Sequence, residues 1–299
     1  MDLEAERALF EKQGVIGPFK LWDSDQMTAW WKDLRRRLLT DADARPTFKN
    51  PINYDRHLDM EPLSKLVTEP DLVKRFQNLI GPDVLCWRTE FFPKNPGDPG
   101  TGWHQVERYA IGEAQQGMLE PTIEGGEAPI ELTAWFALTP ARISNGCMRF
   151  LPGSHKEWKY NELSRLEWDG SRTENTFFGY NYDELKLDPN WKPEDEQILD
   201  MEMEAGEFVI FTARCIHGSH PNTDTRQRMG LAVRVVPTHV KVYADIDSFD
   251  EFGQHFDLEQ YGTVLVGGTD QYRHNRIADT NAWGLRFETQ PAPEQETVR

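Results

Sequence analysis

The spacing of apolar residues along the chain changes once, from a helical to a strand-like period. In the first part, apolar residues recur at helical intervals over 2–13 and about 24–40, with charged residues between them. A third helix is predicted at 70–80, between a proline and a glycine that suit its two ends. We therefore predict a helical N-terminal part over about residues 1–82.

The second part of the chain consists of short strand-like runs separated by Gly, Pro, Asn and Asp. The predicted strands are 84–92, 103–111, 129–138, 147–151, 207–212, 229–236 and 239–243. Because no regular helical period intervenes, these runs favour a barrel or jelly roll over a parallel sheet. Residues 158–200 fit neither period, and we predict that this insertion between strands caps a pocket.

The length and composition suit one large domain. The chain has 299 residues, of which 38% are hydrophobic and 11% aromatic, so a sizeable core is available. We predict a single domain over 1–299, in which the helical part is followed by a β-rich core at about 83–245 and a C-terminal extension at about 246–299.

The charge balance argues against some classes of partner. The sequence has 33 Lys and Arg against 50 Asp and Glu, a formal net charge of −17, and this field repels phosphate. We therefore expect neither a nucleic-acid partner nor a membrane partner. The N-terminus is acidic, and no apolar run is long enough to span a bilayer, so we expect a cytoplasmic protein. Cys86, Cys147 and Cys215 stand far apart among apolar residues and are expected to be buried free thiols.

Two histidines at the ends of predicted strands are candidate metal ligands. His104 opens a strand-like run in "TGWHQVERY", and His217 closes one in "GEFVIFTARCIHGSHP". A carboxylate two residues after the first histidine would complete a two-His-one-carboxylate iron site. Val106 stands at that position instead. Either the metal interpretation is wrong, or the site lacks its acid.

A strand with two inward arginines follows His217. In "RMGLAVRVVP", Arg228 and Arg234 share one face because strand side chains alternate. Burying an unpaired guanidinium is costly, so these arginines imply an anionic partner such as a dicarboxylate. With the two histidines, this is the arrangement of Fe(II)/2-oxoglutarate oxygenases. Iron would bind His104 and His217, and the distal carboxylate of 2-oxoglutarate would meet Arg228.

Five segments of the chain resemble the nonheme iron halogenases of the syringomycin type. They are "NYDRHLD" (53–59), "VLCWRTEFFPKNPGDPGTGWHQ" (84–105), "NGCMRFLPGSH" (145–155), "FFGYNYDELKLDPNWKP" (177–193) and "RMGLAVRVVP" (228–237). That family belongs to the phytanoyl-CoA dioxygenase-like jelly rolls and chlorinates aminoacyl groups tethered to a carrier protein. The resemblance implies a mainly β fold with flanking α-helices around a double-stranded β-helix (jelly-roll, cupin-like) core. It also implies Fe(II), 2-oxoglutarate and O2 as cofactors, with chloride in the halogenase.

The resemblance also gives roles to individual residues. Those halogenases carry Ala or Gly where other members carry Asp or Glu, and chloride takes the vacated place on the iron, which here lies beside Val106. It implies that the 2-oxoglutarate and halide surroundings are formed by Glu90, Thr101, Thr133, Trp135, Arg228 and Arg234. By contrast, Tyr109, Ile111 and Ala213 stand where Phe, Asn and Ser are expected. Valine is also larger than alanine, so the halide pocket is altered.

Glu107 is an alternative source of the missing carboxylate. In a regular strand it faces away from His104, but a β-bulge could turn it towards the metal. Otherwise Glu107 is a solvent-facing charge or part of a salt bridge. We place Val106, Glu107, Tyr109 and Arg234 in the catalytic centre, and Thr101, Thr133, Trp135 and Arg228 in the cofactor site.

The sequence thus predicts oxidative chlorination of an unactivated carbon in an amino-acid or acyl substrate that is attached to a carrier protein, in secondary-metabolite biosynthesis. Two alternatives stay open. One is a hydroxylase or another Fe(II)/2-oxoglutarate oxidase on the same scaffold, and the other is a non-catalytic protein that binds a carrier domain.

Overall fold

The structure is a computed structural model that describes residues 2–40, 54–111, 116–123, 129–164, 166–171, 176–177 and 179–293. The α-helices in these ranges are α1 (Leu3–Gln13), α2 (Ser24–Thr40), α3 (Glu61–Val67) and α4 (Pro70–Ile80). The three predicted helices correspond to α1, α2 and α4, each within one residue of the predicted bounds. Asp2 caps α1 by accepting a hydrogen bond from the backbone N–H of Ala5 at 3.0 Å. No helix in the described part of the chain is both long and apolar enough to cross a membrane.

Short strands make up most of the remaining regular structure. They are β1 (Val15–Lys20), β2 (Val84–Lys94), β3 (Thr101–His104), β4 (Ala110–Ile111), β5 (Gln116–Gly117), β6 (Leu119–Pro121), β7 (Leu132–Ala137), β8 (Met148–Phe150), β9 (Leu199–Met201), β10 (Glu207–Phe211), β11 (His217–Ser219), β12 (Arg228–Pro237), β13 (Val240–Val242), β14 (Ser248–Glu251), β15 (Gln254–Asp257) and β16 (Val264–Gly267). Six of the seven predicted strands match β2, β7, β8, β10, β12 and β13 to within about three residues at each end.

Two antiparallel sheets form the walls of the fold. The larger sheet has the strand order β1-β10-β7-β12-β2-β16, and the smaller sheet has the order β3-β11-β8-β9. The helices pack against the larger sheet, where Leu34 of α2 and Phe76 of α4 share an apolar core with Leu231. A second core lies between the sheets around Phe150 and Phe211. This arrangement confirms the expected mainly β, cupin-like jelly roll with flanking helices.

Alternation of side chains on β12 separates the outer core from an inner cavity. Leu231 and Val233 join the core under the helices, whereas Ala232 and Arg234 line the cavity. The register of β12 with β2 pairs Arg228 with Lys94, Gly230 with Phe92, Ala232 with Glu90, and Arg234 with Arg88. These four β2 residues also line the cavity, so layers of charged and apolar side chains follow one another along it.

Gly230 is required by close packing within this layered wall. A Cβ atom at this position would lie 1.9 Å from Cζ2 of Trp135, far inside van der Waals contact. The indole of Trp135 therefore lies directly against the backbone of β12, and the glycine makes room for it.

The predicted strand 103–111 is wrong in its bounds. β3 ends at His104, and the chain returns to strand form only at Ala110–Ile111. Tyr109 has a φ of 54°, which interrupts the extended backbone between the two segments. The argument that Val106 and Glu107 face opposite sides of a regular strand therefore does not apply.

Both edge strands of the larger sheet come from regions in which no strand was predicted. At one edge, β1 pairs with β10, although it contains Gly17 and Pro18. Proline is tolerated there because an edge strand leaves some backbone groups unpaired. At the other edge, β16 of the C-terminal extension pairs with β2. The same extension contains the hairpin of β14 and β15, whose residues Asp250, Glu251 and Phe252 line the cavity.

The insertion at 158–200 caps the cavity, as predicted. In its described part it contains short 3-10 turns at Tyr182–Leu185 and Pro193–Asp195, and β9 begins at its end. Its cavity-lining residues are Glu162, Leu163, Ser164, Leu166, Trp168, Gly170, Thr176, Phe177, Tyr180, Tyr182 and Leu185. Cys86, Cys147 and Cys215 are buried free thiols, also as predicted.

Candidate active site

His104 and His217 face each other across two paired strands. His104 ends β3 and His217 begins β11, the reverse of the predicted strand ends, because the chain turns after β10 before it forms β11. The antiparallel register places the two residues directly opposite each other. Their ring centroids are 4.1 Å apart, and both side chains line the cavity.

Backbone carbonyls fix the tautomer of both imidazoles. Nδ1 of His104 is 2.9 Å from the carbonyl O of Gly102, and Nδ1 of His217 is 2.7 Å from that of Cys215. A carbonyl only accepts, so each Nδ1 carries the proton and each Nε2 keeps its lone pair. Burial lowers the pKa of His104 to about 4 and holds the pKa of His217 well below its usual range. Both rings are therefore neutral at physiological pH, the form that binds a metal.

Val106 stands where the sequence analysis expects an acidic third ligand. Its side chain is buried and lines the cavity, and its backbone N–H donates to the carbonyl of Ala213 at 3.1 Å. Within the described ranges, no group of three or more His, Cys, Asp or Glu side chains is placed to hold a metal ion. Two neutral imidazoles still suit Fe(II), provided that other ligands complete its coordination.

Glu107 does not point into the cavity. Its Oε1 lies 3.7 Å from Nη1 of Arg214, so its carboxylate forms a salt bridge, one of the three interpretations that the sequence left open. Glu162 is the carboxylate that lines the cavity nearby, and it accepts hydrogen bonds from the backbone N–H groups of Glu107 and Arg108. This placement does not support iron ligation or a catalytic role for Glu107.

One end of the cavity, the Lys94–Arg228 end, is formed by two cations. Arg228 donates from Nε and Nη2 to the carbonyl of Gly146 at 3.1 and 2.8 Å, and from Nη1 to that of Phe92 at 3.0 Å. Its guanidinium lies 5.0 Å from the ring centroid of Trp135. Burial lowers the pKa of Arg228 to about 10, so it stays charged near neutral pH.

Lys94 was not predicted as a site residue. Its Nζ donates to the carbonyls of Pro99 and His220 at 2.8 and 3.1 Å, and it lies 2.9 Å from Oγ of Ser219. Ser219 in turn donates to Oγ1 of Thr101 at 2.9 Å. Burial and the nearby Arg228 lower the pKa of Lys94 to about 7.

The opposite end, the Arg88–Arg234 end, combines two arginines with carboxylates. Arg234 donates to Glu90 at 3.1 Å, to the hydroxyl of Tyr109 at 2.6 Å and to Thr133 at 3.3 Å. Although burial alone would lower it, the pKa of Arg234 is raised because Tyr109 and Glu90 stabilise the cation. Arg88 donates to the hydroxyl of Tyr243, a residue outside the cavity lining.

Glu131 is a second residue that sequence reasoning missed. Its carboxylate accepts from Oγ1 of Thr133 at 2.6 Å and from the backbone N–H of Ala213 at 3.3 Å. Burial raises its pKa to about 7. Because Ala213 also accepts from the N–H of Val106, Glu131 ties the wall behind Thr133 to the segment after His104.

The cavity between these two ends has a volume of ≈ 480 Å³, the size of a small-molecule site. Of the predicted site residues, it brings together His104, His217, Val106, Tyr109, Thr101, Thr133, Trp135, Arg228 and Arg234. Their individual roles stay predictions. Arg88, Glu90, Phe92 and Lys94 alternate in "VLCWRTEFFPK" and line it together, so this strand carried a readable signal for the missed residues Arg88 and Lys94. Glu251 ends the short strand β14 and Glu162 lies in the insertion at 158–200, and neither stands in a pattern that gave such a signal. The side chain of Ile111 lies outside the described residues.

Comparisons with known proteins agree with this geometry. The sequence profile of the family described as Phytanoyl-CoA dioxygenase (PhyH) matches residues 10–230. The solved structure of CytC3 with Fe(II) and alpha-ketoglutarate is 34% identical, covers 97% of each chain and superposes with a TM-score of 0.75. Ectoine dioxygenase of Streptomyces coelicolor is 24% identical over 74% of this chain and 72% of its own length. A Phytanoyl-CoA dioxygenase domain-containing protein 1 homolog of Dictyostelium discoideum is 30% identical, but the match spans only 34% of this chain and 33% of the relative.

The jelly-roll fold, the two facing imidazoles and the family match together place this protein among the nonheme iron oxygenases that use 2-oxoglutarate. The chain belongs to the phytanoyl-CoA dioxygenase (PhyH) family. It is an enzyme, and its cofactors are Fe(II), 2-oxoglutarate and O2. The matched residues include both histidines and Arg228, whereas Arg234 and Glu251 lie outside them.

Proposed function

We propose that this oxygenase chlorinates an unactivated carbon of an amino-acid or acyl substrate. The observation that carries the proposal is Val106, a buried side chain without any donor atom at the position of the acidic ligand. An iron held by two neutral histidines and 2-oxoglutarate lacks the anion that a carboxylate would supply, and a halide can take that place.

The residues of the chain hold and orient the reactants. Iron with 2-oxoglutarate and O2 supplies the oxidative decarboxylation to succinate and the abstraction of hydrogen from the substrate. His104 and His217 would hold the iron, while Arg228 and Lys94 would bind the distal carboxylate of 2-oxoglutarate. The ring of Trp135 lies against the Arg228 guanidinium and would shield this contact from water.

Hydroxylation is the second candidate, and Tyr109 favours it. The Tyr109 hydroxyl accepts a hydrogen bond from Arg234 at 2.6 Å. That contact uses a donor that could otherwise stabilise an anion in the cavity. Valine also fills more space than alanine, so both departures from the halogenase pattern reduce the room and the polarity available to a halide.

A halide titration separates the two candidates without knowledge of the substrate. The anaerobic complex with Fe(II) and 2-oxoglutarate is titrated with chloride and then bromide, and its visible charge-transfer absorption is followed. We expect a saturable shift that differs between the two halides, and Val106→Asp should abolish it because the new carboxylate takes the position. If the absorption spectrum does not change with either halide while the enzyme still forms succinate, chlorination is ruled out, and detection of an alcohol product would then establish the hydroxylase.

The iron site itself is tested with a matched pair of variants. His104→Ala should lose stoichiometric Fe(II) binding, because each of the two imidazoles is one of only two proposed protein ligands. His220→Ala is the control, since its Nε2 pairs with Asp200 at 2.6 Å. Full iron occupancy in His104→Ala would contradict the assignment.

A further inference from the structure

The Arg88–Arg234 end contains an ion pair whose members do not satisfy each other. Nη1 of Arg88 lies 3.8 Å from Oε2 of Glu251, beyond hydrogen-bonding distance. Both side chains line the cavity, and their exposed fractions are 3% and 18%. By comparison, Arg234 and Glu90 in the same end are hydrogen-bonded at 3.1 Å.

Each member of the loose pair keeps unused hydrogen-bonding capacity. The guanidinium of Arg88 donates from Nη2 to the hydroxyl of Tyr243 and to Sδ of Met118, while its Nη1, the atom nearest Glu251, makes no hydrogen bond with the described residues. The carboxylate of Glu251 accepts one long hydrogen bond, from the hydroxyl of Tyr54 at 3.4 Å. Buried charges with unmet hydrogen bonds are costly, so a ligand that supplies the missing partners gains affinity.

The missing partners have opposite charges. Arg88 lacks an anion that would accept its free N–H groups, and Glu251 lacks a cation that would donate to its oxygens. A ligand with only one charge would satisfy one residue and leave the other unmatched. A zwitterion satisfies both, and the pair then provides orientation as well as affinity.

This ligand is distinct from 2-oxoglutarate in position and in charge. Arg88 and Lys94 lie on the same face of β2, six residues apart, or roughly 20 Å at the rise of an extended strand. A dicarboxylate would meet two cations at the Lys94–Arg228 end, but it would bring a repelled carboxylate towards Glu251 at the other.

We propose that Arg88 and Glu251 bind a free zwitterionic substrate, namely an amino acid whose carboxylate meets Arg88 and whose ammonium group meets Glu251. The inference rests on the proposed function in that this ligand is the molecule oxidised. An aminoacyl group joined to a carrier through a thioester has no free carboxylate, so it would leave Arg88 unmatched. The site therefore fits a freely diffusing amino acid.

The test measures binding to the anaerobic enzyme with Fe(II) and 2-oxoglutarate, so that it does not depend on turnover or on halide. A panel of the proteinogenic amino acids, norvaline and 2-aminobutyrate is titrated by calorimetry. We expect at least one to bind with a Kd below about 1 mM. Its N-acetyl derivative, which lacks the cation, and its carboxamide, which lacks the anion, should each bind at least tenfold more weakly.

Two variants assign each charge to its residue. Glu251→Gln should weaken the binding of the free amino acid and of the carboxamide but leave the affinity for the N-acetyl derivative unchanged. Arg88→Gln should weaken the binding of the free amino acid and of the N-acetyl derivative but leave the affinity for the carboxamide unchanged. A merely structural role would weaken all three ligands alike. Glu259→Gln, at an exposed position of the same C-terminal segment, is the matched control.

The proposal is overturned if no amino acid of the panel binds, if the derivatives bind as tightly as the parent, or if only aminoacyl-pantetheine thioesters bind. If Arg88→Gln fails to fold, the Glu251→Gln comparison still decides. Failure of the halide titration would remove the chlorination proposal and leave this one standing, because the two experiments have separate readouts.

Discussion

The buried positive charges at the two ends of the cavity are compensated in different ways. At the Lys94–Arg228 end, the cations contact carbonyl and hydroxyl oxygens, and no carboxylate of the described residues lies within ion-pair distance of either. At the Arg88–Arg234 end, Glu90 and Glu251 accompany the arginines. The first end therefore retains net positive charge, whereas the second is balanced within the protein.

From this difference we infer the kind of ligand that each end would bind. Carbonyl dipoles satisfy the hydrogen-bonding groups of a cation but do not cancel its charge, so the first end is completed by an incoming anion. The balanced end needs no net charge from its ligand. Both ends lie on the same pair of strands, so the distinction comes from which residues alternate inward rather than from different parts of the fold.

Removal of the Arg228 charge is expected to have the largest effect, because it takes away the positive charge that distinguishes the Lys94–Arg228 end. Arg228→Met should weaken the binding of 2-oxoglutarate by ~2–4 kcal/mol, roughly 30- to 700-fold in Kd, because one partner of a buried charged contact is lost. Anaerobic calorimetry measures the affinity. The exposed Arg226→Met, two residues earlier, should change nothing. Equal losses in both variants would move the anchor elsewhere.

Adding a methyl group at Gly230 would disturb the wall between the ends. Gly230→Ala should lower the free energy of unfolding by about 1–3 kcal/mol, since Trp135 has to leave its place against the strand. Denaturant unfolding measures the change. Trp135→Phe removes the ring atoms that the new Cβ would strike, so the double variant should lose less than the sum of the single changes. Simple additivity would show that the contact is not the cause.

A pH series would sharpen the contrast, because Lys94 titrates near neutrality at one end only. Its pKa is lowered from 10.5 to about 7, so the free enzyme carries this charge only below about pH 7. 2-Oxoglutarate affinity should be highest below pH 7 and fall as the pH rises, by up to ~10-fold per unit for one proton. Lys94→Met should remove this dependence. A flat profile in the unchanged enzyme would exclude Lys94 from the contact.

Between pH 7 and 10.5 the same shift affects stability. The unfolded chain then binds more protons than the folded one, so the contribution of Lys94 makes the free energy of unfolding rise with pH. Bound 2-oxoglutarate should reduce that slope, since the anion restores the proton to Lys94. Thermal unfolding with and without the ligand measures it.

The smallest effect is expected at Thr101. Its hydroxyl accepts from Ser219, which itself lies 2.9 Å from Nζ of Lys94. Thr101→Val should weaken the binding of 2-oxoglutarate by ~1 kcal/mol, about fivefold in Kd, which is the usual contribution of one hydrogen bond. Thr101→Ser keeps the hydroxyl and should stay within twofold of the unchanged enzyme. A loss in the serine variant as large as in the valine variant would assign the effect to packing.

Regular elements were predictable because their patterns are local. The spacing of apolar residues located α2 and α4, and alternation placed Arg228 and Arg234 on one inward face. The strand 103–111 was wrong because the left-handed backbone at Tyr109 leaves no mark on the pattern of apolar residues. β1 was missed because Pro18 argues against a strand unless its place at the sheet edge is known.

Some residues of the candidate site were likewise predictable from local patterns, and others were not. His104 and His217 could be paired in advance because each stands in a strand context, but their facing each other depends on the register of β3 with β11. Glu131 and Glu251 gave no signal, since their importance comes from burial beside residues distant in sequence. Charge compensation is a property of tertiary contacts, and sequence patterns report it only where both partners share one element.

The hairpin of β14 and β15 sets the order in which the two ends can form during synthesis. Glu251 meets Tyr54 across 197 positions of sequence, so the Arg88–Arg234 end requires a long loop closure. The residues of the Lys94–Arg228 end have all been made once Arg228 has emerged. A ribosome-bound chain at that stage possesses every residue proposed to hold iron and 2-oxoglutarate, whereas Glu251, the acidic residue proposed to bind the substrate, is added only when the hairpin follows.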